Sequence, residues 1–325
     1  MIEQVLPYIY KVEIPLPKNP LKATNSYVIQ GQKRNLLIDT GFNCDESRNA
    51  MVQGLHDLGA RMETTDLFIT HLHADHSGLT KYLATPSTTV WMSENDGKVV
   101  ATSQTNSHWT MFSDFLHLSG LIASGIEDNV EKHPGYKYAC ENFDKFTTVN
   151  EGYEIKVGNY CFQCVETKGH TAGHMCLYEP DKKLLISGDH ILGKITPNIT
   201  LWRPGEDVLG NYLKNLDKIA ALDINTVLPG HRSILTDCRG RIKELKTHHD
   251  KRMNDIMNII GEVRMNAAQV ASQMEWDLSY KTWEQFPWGQ KLFATGEAMS
   301  HLYHLAVTDK LAVSTVDNIV YFAKI

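Results

Sequence analysis

The run His71-Leu72-His73-Ala74-Asp75-His76 places three imidazoles and a carboxylate within six residues. His71 and His73 stand two apart, so on an extended loop they project to one side and can hold one ion. Asp75 and His76 follow once the chain has turned and point to a neighbouring position. Three further segments end a short apolar run in the same kind of side chain: residues 165–169 before His170, 184–188 before Asp189 and 226–230 before His231. A glycine immediately before each of these three supplies the tight turn that aims the side chain. Five imidazoles and two carboxylates suit zinc above all, with iron or manganese as other borderline ions. Two such ions ~3.5–4 Å apart would share a bridging hydroxide, acidic enough to be a nucleophile at neutral pH.

Strands have to carry these side chains to one place. Residues 8–15, 26–30 and 35–39 are short apolar runs broken by Pro, Asn and Gly, a β-rich start. Met51, Leu55 and Leu58 have helical spacing, and 66–70 and 88–92 read as buried strands. Residues 95 to about 148 differ and read as a helical insertion. Trp109, Phe112 and Phe115, with His108 and His117, form a stripe that suits a core or dimer contact better than a substrate lid. Strands return from Thr148, at 161–166, 175–178, 184–187 and 226–228, with a helix over 207–222. The pattern is α/β. The last eighty residues read as helices over 245–263, 266–274 and 289–308, followed by strands at 311–314 and 318–323. Three helices capped by a hairpin is a winged-helix layout. The expected organisation is a catalytic domain over 1–243 and a winged-helix-like domain over 244–325.

The order His-x-His-x-Asp-His, Gly-His-Thr-x-Gly-His, Gly-Asp and Pro-Gly-His, at this rough spacing, resembles the signature of the metallo-β-lactamase superfamily. Asn25-Ser26-Tyr27 and Leu37-Ile38-Asp39-Thr40-Gly41 look like its first core strands, and the likeness covers residues 1 to about 240. It implies an αββα sandwich. It also implies a first metal on His71, His73 and His170, and a second on Asp75, His76 and His231, with Asp189 bridging. Asp75 would also orient the hydroxide or take its proton. Asp39 would hydrogen-bond a ligand histidine, fixing its tautomer. His174 and His190 lie beside a full ligand set and read as supporting or packing residues, and Thr171 as a brace for the local backbone. The loop 195–204 should start at the rim of the site, so Trp202, Arg203 and Tyr212 are candidate substrate contacts.

The resemblance implies a hydrolase of a small ester, thioester or lactone. A phosphodiesterase or endoribonuclease is the first alternative, because the tail is similar to the C-terminal unit of lactamase-like endoribonucleases. A mono-iron sulfur dioxygenase is the second, and the intact second-metal set speaks against it. Charge speaks against nucleic acid. The chain carries a formal charge of −6, and residues 245–325 hold eight Lys and Arg against nine Asp and Glu, with no basic stripe. A small-molecule substrate and a homodimer are the expected partners. The first residues lack a basic region followed by an apolar core, and no apolar stretch approaches the ~20 residues that span a bilayer. A cytoplasmic location with no membrane partner is therefore the expectation. Six scattered cysteines are not a disulfide framework. Cys161 and Cys164 sit on a strand-like segment, where positions i and i+3 face opposite ways.

Overall fold

The computed structural model describes the whole chain except Gln104, Arg203 and Leu278, and leaves out the side chains of residues 106–108. The first sheet comprises β1 (Ile2–Leu6), β2 (Ile9–Pro15), β3 (Ala23–Ile29), β4 (Asn35–Ile38), β5 (Thr65–Phe68), β6 (Val90–Ser93) and β7 (Thr147–Val149), in that order. Its first four strands pair antiparallel, and β4 through β7 run parallel. The second sheet comprises β8 (Glu154–Val157), β9 (Tyr160–Glu166), β10 (Met175–Glu179), β11 (Leu184–Gly188) and β12 (Thr226–Pro229). Here only β11 and β12 are parallel.

Alternation of side chains fixes the layers. Leu36 and Ile38 of β4 and Phe68 of β5 point into the sandwich, where they meet Phe162, Cys164, Leu177, Leu184 and Ile186 of the second sheet. Leu37 and Leu67, one residue out of phase, instead pack outwards against Met51 and Leu55 of helix α1 (Asp45–Asp57). Cys176 and Leu185 likewise face outwards, onto Leu209, Leu216 and Ile219 of a later helix. A strand buried on both faces reads as an unbroken apolar run, as these do. Cys164 points into the sandwich core while Cys161 on the same strand is only half-buried, and all six cysteines are free.

Two short helices, α2 (Ala74–Ser77) and α3 (Thr80–Leu83), follow β5. The insertion between β6 and β7 contains α4 (Glu94–Thr102), α5 (Asn106–Leu118) and α6 (Pro134–Lys137). Helix α7 (Val208–Ala220) connects β11 to β12, and α8 (Cys238–Ile260) leads into the C-terminal region. There, β13 (Met265–Asn266), α9 (Ala267–Ala271), α10 (Trp288–Val307) and the hairpin β14 (Leu311–Val316)–β15 (Ile319–Lys324) complete the chain. A reciprocal capping box between Asn266 and Gln269 starts α9.

Helix α8 starts seven residues before the expected Leu245, because Asp237 caps it through the Gly240 amide. It runs unbroken across residue 243. Its first turns, with Ile242 and Leu245, pack on the second sheet, while Ile256 and Ile260 belong to the C-terminal core. That core is shared with the insertion: Trp109, Phe112, Phe115 and Leu116 of α5 pack with Leu292, Met299 and Leu302 of α10. The Ala268 amide donates to Ser119 O at 3.0 Å and Trp288 Nε1 donates to Glu127 O at 3.0 Å, so polar bonds tie the same two regions. The aromatic stripe is a core element. Among the described residues no helix is long and apolar enough to cross a membrane.

Candidate metal centre

The parallel strands β4 and β5, and β11 and β12, end at one edge of the sandwich, and the chemistry-bearing residues follow those ends. Asp39 leaves β4, and Thr70 and His71 follow β5. Asp189 follows β11, and His231 follows β12. Open α/β sheets present their sites at this edge, because the loops there converge. Gly188 has φ +47, and a Cβ on it would lie 2.7 Å from His174 Nε2. A Cβ on Gly230 would lie 2.5 Å from Asp189 Oδ1 and 2.7 Å from His76 Cε1. Only glycine lets these loops close over the carboxylate.

Ligand-type atoms of three sets lie within 4.8 Å of one another: His71 with His73 and His170, His71 with His76 and Asp189, and Asp75 with His76 and His231. His71 Nε2 stands 3.1 Å from His73 Nδ1, and His76 Nε2 stands 3.3 Å from His231 Nε2. Asp189 lies between the groups, with Oδ1 3.4 Å from His76 Nε2 and Oδ2 3.4 Å from His231 Nε2 and 3.7 Å from His170 Nε2.

Four of the five imidazoles are anchored on the side away from the centre. His76 Nδ1 donates to Asp39 Oδ2 at 2.7 Å, His231 Nδ1 to Ala23 O at 2.7 Å and His170 Nδ1 to Asn198 O at 2.8 Å. His71 Nδ1 pairs with Thr70 Oγ1 at 2.9 Å, and that hydroxyl donates to Asp39 Oδ2 at 2.8 Å. Each anchor leaves the opposite nitrogen as a lone pair aimed inwards, the tautomer a metal needs. His170 Nε2 and Asp189 Oδ1 are fully buried with no hydrogen-bond partner. Buried orphans of this kind are costly unless something fills the space between them. The donor set, its tautomers and these orphans fit divalent metal.

The ionisation pattern follows from burial and charge. Burial lowers His71 well below its usual value and brings His73 down to about 3, with neighbouring imidazoles adding to the effect. Burial also opposes charge on His76 and His231, but Asp189 and Asp75 overcome it and hold both above the usual range, His231 at about 10. Burial would raise Asp75 and Asp189, yet His76 and His231 bring Asp75 to about 2 and Asp189 well below the usual range. The two carboxylates thus favour positive charge between them, which a divalent ion would supply.

The supporting shell holds both residues expected in it and others that sequence gave no reason to choose. Asp39 accepts from the Thr70 amide and hydroxyl as well as from His76. His174 accepts from the Asp189 amide at 3.1 Å and pairs through Nδ1 with Thr167 Oγ1 at 2.7 Å. His190 is buried between the rings of His174 and Tyr212. Thr171 does brace a loop, by donating to Asp96 Oδ2 at 2.6 Å. Asp96 Oδ2 also accepts from the Leu72 amide at 2.9 Å, so one buried carboxylate joins the two ligand loops. Burial pushes the Asp96 carboxyl up to about 6. Thr70, Asp96 and Asn198 act through local geometry and carry no motif; Asn198 lies in the loop 195–204 expected to start at the rim of the site.

One expected substrate contact is corrected. Tyr212 is fully buried on the inner face of α7 and donates its hydroxyl to His190 O at 3.0 Å, so it cannot touch a ligand. Its helical spacing turned it towards the sheet. Tyr212→Phe is expected to cost about 1 kcal/mol of stability, the value of one such bond, with KM unchanged; denaturation and steady-state kinetics check this. Trp202 is half-buried and packs 5.1 Å from Phe115 and 6.0 Å from Phe112. Arg203 lies outside the described residues.

Residues 19–231 match the metallo-beta-lactamase superfamily. Among curated relatives, a probable metallo-hydrolase of Bacillus subtilis is 24% identical over 91% of this chain and 92% of its own length. An atrochrysone carboxyl ACP thioesterase of Cryptosporiopsis sp. is 21% identical over 83% of this chain and 68% of its own. The crystal structure of a metallo-beta-lactamase family protein from Thermus thermophilus superposes with a TM-score of 0.81 at 23% identity, covering 99% of this chain and 100% of that one. That likeness extends the shared fold through the insertion and the C-terminal helices. The chain thus belongs to the metallo-beta-lactamase superfamily and is a metal-dependent hydrolase of that fold.

Proposed function

We propose that this protein uses two divalent metal ions, zinc foremost, to hydrolyse a small ester, thioester or lactone. The observation that carries the reading is the set of inward-facing donors whose outer nitrogens are already anchored. His71, His73 and His170 would hold one ion, Asp75, His76 and His231 the other, and Asp189 both. Two ions held there supply a nucleophile from water at neutral pH and polarise the electrophile's oxygen. Asp75, in the second ligand set beside His76 and His231, would orient the attacking water and take its proton. His73 is only half-buried whereas His71, His76 and His231 are enclosed, so substrate approaches past His73. A relative named as a thioesterase makes thioesters the first class to try.

The net charge of the C-terminal residues gives no support to an RNA substrate, so no nucleic-acid partner is proposed, and the site as read acts on a small molecule. Purified protein assayed with ester, thioester, lactone and phosphodiester panels is expected to turn over an acyl substrate. A chelator should abolish that turnover and added zinc should restore it. Turnover of phosphodiesters alone, together with RNA binding at low salt, would replace this reading with a nuclease.

A further inference from the structure

The C-terminal region reaches the metal centre through one loop, and we infer that Glu297 on α10 is a positioning residue for His170, acting through Asn198. The inference rests on the reading that the centre holds metal. His170 Nδ1 donates to the backbone carbonyl of Asn198 at 2.8 Å. The side chain of the same residue donates from Nδ2 to Glu297 Oε2 at 3.1 Å. One asparagine thus joins a ligand imidazole, by its main chain, to a buried carboxylate on another part of the fold.

The loop needs this tether. Residues 193–202 contain no helix or strand, so no ladder fixes the direction of the Asn198 carbonyl. Around Asn198 its bonds go to α10, with Ser300 Oγ donating to Ile199 O at 2.6 Å and the Leu201 amide to Gly296 O at 3.3 Å, while Arg241 Nη2 of α8 donates to Ile195 O at 3.0 Å nearer the start of the loop. A Cβ on Gly296 would collide with the Thr200 side chain, which shows how closely loop and helix approach.

Glu297 is itself fixed from behind. Its Oε1 lies 3.6 Å from Arg252 Nε and 4.0 Å from His248 Nε2. Arg252 is held in turn by Glu275 O at 2.6 Å and by the Trp276 ring at 4.2 Å. Burial would raise the Glu297 carboxyl, but His248, His301 and Arg252 hold it at about 2, so the acceptor facing Asn198 is a full carboxylate. The bonds from Ser300 and Leu201 suffice to glue the loop to α10. The Glu297–Asn198 bond differs from them in acting on the residue whose carbonyl sets the His170 tautomer.

The test uses full-length protein and zinc, with affinities read by chelator competition and the centre checked by the visible spectrum of the cobalt(II) form. Asn198→Ala and Glu297→Ala are each expected to weaken one of the two ions about tenfold and shift the cobalt spectrum, and the double variant to be no worse than either single one. Glu297→Gln, which keeps an acceptor oxygen, should restore most of the affinity. Glu297→Ala binding both ions as tightly as the parent, whatever its melting temperature, would overturn the inference. So would a double variant whose loss is the product of the two single losses. If Glu297→Ala does not fold, Asn198→Ala, which alters only the loop, carries the same test. A parent protein that binds no zinc would refute the metal reading itself, an outcome distinct from either of these.

Discussion

Replacing Asp189 by alanine is expected to lower hydrolysis by about three orders of magnitude, roughly 4 kcal/mol of lost barrier reduction. Its two oxygens stand 3.4 Å from His76 Nε2 and from His231 Nε2, and the second is 3.7 Å from His170 Nε2. The carboxylate therefore reaches donors of both proposed ions. Alanine would leave His76 and His231 without the anion that most strongly favours their charged form. The loops around it are built for a carboxylate, with the Asp189 amide bonded to His174 and glycines at 188 and 230. The backbone should therefore survive the change while the variant binds one ion per chain at most. Elemental analysis and kcat/KM measured on the same sample check this. Two ions and a near-parental rate would contradict it.

Asp39→Asn should weaken metal binding and activity together by about 10–100-fold, the usual scale for groups that orient ligands. Asp39 is an acceptor for three donors: the Thr70 amide, the Thr70 hydroxyl and His76 Nδ1. An amide in its place brings a donor against a donor in either orientation. If nitrogen faces His76, Nδ1 has to accept and the proton moves to Nε2, the atom that faces the metal. If nitrogen faces the Thr70 amide, the strand end carrying His71 is pushed away. Asparagine tolerates the left-handed backbone at this position, φ 58, where most residues are strained. The loss of stability should accordingly stay within about 1–3 kcal/mol, one unsatisfied buried donor. Chelator competition and urea unfolding separate the two effects; unchanged metal affinity would show that Asp39 serves only the fold.

Much of this centre was legible in the sequence because its elements are short and their chemistry is concentrated. A strand such as Leu184–Gly188 shows both its burial and its exit, and the glycine before Asp189 marks the turn. What could not be read was contact made at a distance or by main chain. Tyr212 has the spacing of any amphipathic helix, and nothing local says that its hydroxyl ends under His190. Asn198 works through its carbonyl, which every residue has. The aromatic stripe of α5 announced burial but not its partner, because the residues that cover it lie about 180 positions later on α10. For the same reason the insertion and the C-terminal helices looked independent, although they share one core.

The most direct test of the central claim is a titration of chelator-stripped protein with zinc, following bound metal and acyl-ester or thioester hydrolysis together. Two ions per chain, with activity absent from the stripped protein and rising as the sites fill, is the expected result. Undiminished hydrolysis by protein shown to be free of metal would contradict it.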